Sequence, residues 1–211
     1  LTADQLIKGL DDAGIKRGVV LSVAYWFGSP LRKAVPDEYA TVKAENDWTI
    51  EQVSHYPDRL VAFCSFNPLK DYAIEEINRC AKNPLVKGIK LHFGNSGVDL
   101  RGNSQHVEKI RDVFKAINEK KLAIVVHLWT LDPDYEKKGD EFSRVFLEKI
   151  LPAAPDITVQ IAHLAGGGRS PYYFAALRML PAVFANPESL QPLWQAALDL
   201  ASAVLVPLAG L

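Results

Sequence analysis

The chain of 211 residues is 48% hydrophobic and 23% charged, with 24 Lys+Arg against 25 Asp+Glu, the make-up of a folded globular protein. A net charge of −1 offers no electrostatic footprint for nucleic acid or an anionic membrane surface, and 13 Gly with 13 Pro exclude collagen-like and low-complexity architectures. The longest apolar stretch, Leu193 to Leu211, is broken by Gln195, Asp199 and Pro207, short of the roughly 20 clean residues of a membrane span. Two cysteines, Cys64 and Cys80, in a chain long enough to build its core without staples, point to a reducing compartment and a cytoplasmic address. Because the sequence opens on Leu1, export is left open. The expected partner is a small-molecule substrate, and the composition is compatible with a homo-oligomer.

Helical and apolar patterns then alternate. Thr2 is placed to cap a helix carrying Leu6, Ile7 and Leu10, which Gly14 closes ahead of an apolar run from Gly18 to Ala24. A helix from Tyr39 to His55 leads to a strand from Leu60 to Phe66, and one from Tyr72 to Ala81 leads to a strand from Val86 to His92. A fourth helix, Ser104 to Glu119, precedes the strand Ala123 to His127; a fifth, Glu141 to Leu151, precedes Ile157 to His163. From Pro171 onward the pattern is helix-rich with Pro and Asn breaks.

Near-continuous apolar strands separated by single helices predict an α/β fold with a parallel sheet covered by helices. Two architectures satisfy the pattern: an open doubly wound sheet, or a (β/α)8 barrel, which takes about 250 residues. No repeat or linker divides the chain, so residues 1–211 are expected to form one domain.

Of five histidines, His92, His127 and His163 fall at the C-terminal ends of three different strands, the edge where parallel α/β folds gather ligands and catalytic groups. His55 and His106 sit in helices among polar residues and are expected at the surface. His127 follows four apolar residues, so its imidazole emerges where the strand leaves the core; it is either a metal ligand or a buried histidine satisfied by a carbonyl. Lys90 and His92, two apart on one strand, share a face. Lys90 would hold a substrate carboxylate or accept CO2 as a carbamate that bridges metals; otherwise it is an interior ammonium satisfied by an acidic neighbour. His92 is a ligand, a substrate contact or a support for another group. Gly166 to Gly168 with Arg169 form an anion nest or a tight turn, and Trp26 and Trp129 are candidate pocket walls at the same edge.

Three ordered stretches carry a resemblance: Pro57 to His92, with Asn67-Pro68 and Gly88-Ile-Lys-Leu-His92; Leu122-Ala-Ile-Val-Val-His127; and Ile157 to Gly168. Together they resemble the amidohydrolase-2 family, a branch of the amidohydrolase superfamily of metal-dependent TIM barrels. The resemblance implies that His127 ends the fifth barrel strand as a metal ligand. It implies that His163 ends the sixth, as a ligand or a catalytic acid/base, with Lys90 and His92 at the end of the fourth. The family's His-x-His pair on the first strand and aspartate on the eighth have no counterpart here, so the expectation is an incomplete (β/α)8 barrel. The implied activity is hydrolysis of a small cyclic or carboxylated substrate by water activated on a divalent metal, zinc being expected. Non-oxidative decarboxylation is the neighbouring alternative, and a metal-free binding protein or inactive fragment is the rival of a different class.

Overall fold

The computed structural model describes residues 2–128 and 141–162. Helix α1 (Ala3–Asp12) begins where the sequence places its cap: the Thr2 hydroxyl accepts the Gln5 N–H at 3.4 Å while the Gln5 side chain accepts the Thr2 N–H at 3.0 Å, a reciprocal capping box. Gly14, at φ +68°, turns the chain out of the helix. Strand β1 (Gly18–Leu21) ends earlier than the apolar run suggests. The Ser22 hydroxyl accepts the Ala24 N–H at 3.2 Å, and this local bond draws the chain off the sheet ladder into a 3-10 turn over Ala24–Trp26.

The remaining elements follow the alternating pattern: α2 (Glu38–Ser54), β2 (Leu60–Ser65), α3 (Ala73–Cys80), β3 (Val86–His92), the single turn α4 (Phe93–Ser96), α5 (Ser104–Glu119), β4 (Ala123–His127) and β5 (Val159–Ile161). Before β5 the chain is helical over 141–150, widening to a π-turn at Phe146–Ile150. All four strand pairings are parallel, and the order is β1-β2-β3-β4-β5. That order settles the architecture. A doubly wound sheet reverses direction at a switch point, whereas strands that each pair with the next in sequence are the wall of a barrel. The five strands form a curled half-barrel with helices, the layout of a (β/α)8 TIM barrel.

The two faces of this wall differ. Toward the helices, Leu60, Ala62, Cys64, Ile89, Leu91, Ile124 and Val126 are at most 1% exposed and join the core built with Ile110, Phe114 and Ile117 of α5. Alternation puts Phe63, Ser65, Gly88, Lys90, His92 and His127 on the other, concave side. Gly88 is needed there because the Phe63 ring lies against it, and a Cβ would stand 2.6 Å from the Ala123 carbonyl oxygen.

A buried polar cluster ties α2 and α3 to the end of β2. The fully buried Glu76 carboxylate accepts from Asn46 Nδ2 at 2.7 Å, from Arg79 Nε and Nη2 at 2.8 Å each, and from the Tyr39 hydroxyl at 3.3 Å. Burial pushes its pKa up, but the donated bonds of Arg79 and Asn46 outweigh that and hold the carboxyl below its ordinary value. Asn46 also takes both backbone groups of Ser65, accepting its N–H at 2.9 Å and donating to its carbonyl at 3.0 Å. The strand end that carries the rim is thereby fixed from the helix layer.

Candidate active site

Four adjacent segments bring their chemistry to the C-terminal rim. Ser65, at the end of β2, accepts the Tyr25 N–H on its hydroxyl at 3.1 Å and so sets the 3-10 turn after β1 over the sheet edge. From that turn the buried Tyr25 ring reaches His92, with centroids 5.0 Å apart and planes at 35°. His92 in turn stacks on His127, centroids 4.1 Å apart and planes at 15°, because the two are register partners on β3 and β4. Tyr25, His92 and His127 therefore form one continuous row of rings. Burial pushes the Tyr25 phenol above its ordinary pKa, keeping it a neutral donor.

His92 is held on both sides. Its Nδ1 accepts the Asn95 N–H at 3.2 Å, capping α4, which places the ring proton on Nε2; the Asn95 side-chain amide lies 2.9 Å from that nitrogen, a hydrogen bond when the amide oxygen is turned toward it. Both ring nitrogens thus face Asn95. Trp26 meets Tyr25 edge-on at 6.2 Å and is 38% exposed, with the Arg32 guanidinium 4.0 Å above its ring. It stands at the outer edge of the row.

Lys90 lies on the same face as His92, in register between Ser65 and Val125, and is only 7% exposed. Among the described residues no acidic side chain pairs with it. Burial without a counter-charge lowers its pKa to about 8.

The described residues hold no group of three His, Cys, Asp or Glu side chains able to coordinate a metal ion. Lone pairs of an imidazole lie in the ring plane, so the nearly parallel His92 and His127 rings do not aim at a common point, and the His92 nitrogens face Asn95. His127 is the rim residue whose donor chemistry fits a borderline cation such as zinc. His163, Trp129 and Arg169 lie outside the described residues.

The profile of the amidohydrolase family matches residues 17–200, most of the chain. The chain belongs to the amidohydrolase family. Solved structures agree on the fold. A putative amidohydrolase from Staphylococcus aureus aligns at TM-score 0.58 and 14% identity, covering 77% of this chain and 59% of its own. The 5-carboxyvanillate decarboxylase from Sphingomonas paucimobilis aligns at TM-score 0.55 and 16% identity, covering 76% of this chain and 51% of its own. The 2,6-dihydroxybenzoate decarboxylase from Rhizobium aligns at TM-score 0.52 and 16% identity, covering 77% of this chain and 56% of its own. This amidohydrolase chain therefore spans between half and three-fifths of the length of those structures. No curated protein matches it.

Three rim residues escape a reading of the sequence. Tyr25, not its neighbour Trp26, makes the ring contact to His92; Ser65 holds Tyr25; Asn95 holds His92. Ser65 alone left a signal, as the one hydroxyl in the otherwise apolar run from Leu60 to Phe66.

Proposed function

We propose that this chain forms part of a metal-dependent enzyme that hydrolyses a small carboxylated, cyclic substrate. One observation carries the proposal: a buried ammonium, Lys90, shares the face of the histidine row and has no acidic partner among the described residues. Uncompensated charge in a protein interior is costly, and a substrate carboxylate is the group that offsets it. Lys90 then binds and orients the substrate by that carboxylate. His127 would hold the metal, and His92, clamped by Asn95 and stacked on His127, fixes the ligand ring; of the two roles the resemblance implies for His163, ligand or catalytic acid/base, this reading takes the second. A divalent ion held there, zinc by its donor preference, would supply hydroxide at neutral pH and Lewis acidity toward the scissile carbonyl. His163 stabilises the developing oxyanion or carries a proton to the leaving group. Trp26, at the outer edge of the ring row, would wall the pocket; Trp129 and Arg169, which lie outside the described residues, keep the roles the sequence suggests for them, a pocket wall and an anion contact. The two buried free thiols, Cys64 and Cys80, support a reducing, cytoplasmic setting.

Non-oxidative decarboxylation of the same kind of substrate is the second reading, favoured by the likeness to two decarboxylases. Parallel measurement of CO2 release and ring opening on a panel of hydroxylated benzoates and cyclic carboxylates separates the two. Metal content tests the site itself. His127→Ala should lower bound metal and turnover together, while His163→Ala should keep the metal and lose rate. Unchanged metal stoichiometry in the His127 variant after dialysis would sink the assignment, and a purified full-length protein with no bound metal would favour a binding protein instead.

A further inference from the structure

The pair Asn67-Pro68 lies outside the row of rings, yet it sits where the loops that follow β1, β2 and β3 meet. Pro68 favours extended backbone at Asn67, which narrows the directions its side chain can take from the end of β2. That side chain is 2% exposed and its amide is almost fully used. Nδ2 donates to the carbonyls of Gly28 at 2.7 Å and Ser96 at 3.2 Å, and Oδ1 accepts the Leu69 N–H at 2.9 Å. Both amide protons are engaged, and one side chain joins three loops.

The two carbonyls it holds belong to the segments that flank His92. Ser96 ends α4, the single turn that starts on His92 and carries Asn95. The turn is closed by the Gly97 N–H on the Gly94 carbonyl at 3.2 Å and the Val98 N–H on the Phe93 carbonyl at 3.0 Å. One turn is no stable helix by itself, so its place over the sheet is set from outside. Phe93 anchors its base, edge-on to Phe142 and Phe146 with centroids 6.4 Å and 6.2 Å away. Asn67 anchors its far end. There Gly97, at φ +69°, closes on the loop after β1 so tightly that a Cβ would stand 2.8 Å from Pro30. The Gly28 carbonyl lies in that same loop, two residues beyond Trp26 and three beyond Tyr25. A single amide therefore sets both neighbours of the His92 ring, Asn95 and Tyr25.

We propose that Asn67 is a positioning residue for the histidine row: by tying Gly28 to Ser96 it keeps Tyr25 and Asn95 at the separation that clamps the His92 ring, and through the stack it sets the plane of the His127 imidazole. The inference rests on the proposed metal chemistry only in its last step, where that plane decides how His127 meets an ion. The orientation of His92 is a property of the chain itself. Asparagine is required by its donors. An aspartate of the same shape keeps the acceptor for Leu69 but sets lone pairs, and a negative charge, against two carbonyl oxygens.

The test reads the histidine rings of the full chain by long-range proton–nitrogen magnetic resonance at about pH 8 after chelator treatment, where neutral imidazoles report their tautomer. Asn95→Ala supplies the signal of a released His92 ring. Asn67→Asp should move the His92 and His127 signals the same way, with His92 losing its single tautomer. Gly97→Ala keeps Asn67 but drives a methyl group into Pro30, so it should do likewise, and it decides the matter where Asn67→Asp does not fold. Ile117→Val, fully buried in α5, lowers the melting temperature without touching these loops and should leave both signals in place. Zinc affinity, measured against a chromophoric chelator, should fall about tenfold in Asn67→Asp, the lower end for a group placed behind a ligand, and hold in Ile117→Val. Ring signals unchanged in Asn67→Asp or in Gly97→Ala overturn the proposal. Equal movement in Ile117→Val does so too, since general loosening would then explain the change. A chain that takes up no zinc in any form sinks the metal reading instead, and the ring signals still decide the role of Asn67.

Discussion

Two buried charges, Glu76 and Lys90, lie on opposite sides of the same sheet and are treated in opposite ways. Glu76 is fully enclosed and receives donors from Asn46, Arg79 and Tyr39, so its negative charge is matched on every side by groups of α2 and α3. Lys90 is enclosed almost as fully and meets no acid among the described residues. A satisfied interior charge belongs to the scaffold, since its partners already use its bonding capacity. An unsatisfied one marks the place where something from outside is expected.

The contrast breaks most visibly at the satisfied end. Arg79→Ala strips the bidentate partner from a buried carboxylate and should cost on the order of 3 kcal/mol in urea unfolding at neutral pH, where Glu76 is charged. A loss below about 1 kcal/mol would mean that Asn46 and Tyr39 suffice, and that the ion pair is not what holds α3 to α2. At the unsatisfied end the sign should reverse. Lys90→Met removes a charge that no acid among the described residues matches, so the variant should be more stable at pH 7 by roughly 1–3 kcal/mol while carboxylated substrates lose their anchor. A destabilised Lys90→Met variant would show that the ammonium has a structural partner after all.

The same residue gives a pH dependence with a fixed sign. The folded-state pKa of Lys90 is about 8, below the ordinary lysine value of 10.5, so between these limits the unfolded chain binds more protons than the native one. Stability should therefore rise with pH from about 8 to about 10.5 and flatten above, and the rise should vanish in Lys90→Met. Substrate affinity should move the other way, falling as pH climbs through 8 and the ammonium discharges. A parallel rise in both quantities would separate Lys90 from substrate binding. The smallest effect sharpens the scaffold side: Tyr39→Phe removes only the 3.3 Å bond to Glu76 and should cost less than about 1 kcal/mol by thermal melting.

What the sequence discloses follows from where each pattern is enforced. Strands Val86–His92 and Ala123–His127 and the helix Ser104–Glu119 sit where the periodic patterns place them, because sheet and helix layer press together through faces that burial keeps apolar: Ile89, Leu91, Ile124 and Val126 on the strands, Ile110, Phe114 and Ile117 on the helix. The choice between barrel and doubly wound sheet is invisible at that level, since both need the same alternation and differ only in which strands become neighbours. Lys90 is legible as an interior lysine, yet the lack of an acidic partner among the described residues, which makes it informative, depends on three separate strands. Trp26 stands out by size, but Ser22 bends the chain so that Tyr25 reaches His92. His106, expected at the surface, is half-buried because it accepts the Asp99 N–H, a bond within seven residues that no periodicity encodes.

The amide of Asn67 bears on how this rim can be re-engineered. Loop exchange between barrels treats each connection after a strand as an independent module, and rigid (β/α)8 scaffolds tolerate it for that reason. Here a single side chain on the loop after β2 fastens the carbonyls of the loops on either side, at Gly28 and Ser96. The three connections therefore behave as one cassette. A graft that replaces any one of them alone would leave a carbonyl or the Asn67 amide unpaired in the interior, so a transplanted specificity should travel only when residues 24–34, 66–70 and 93–98 are moved together.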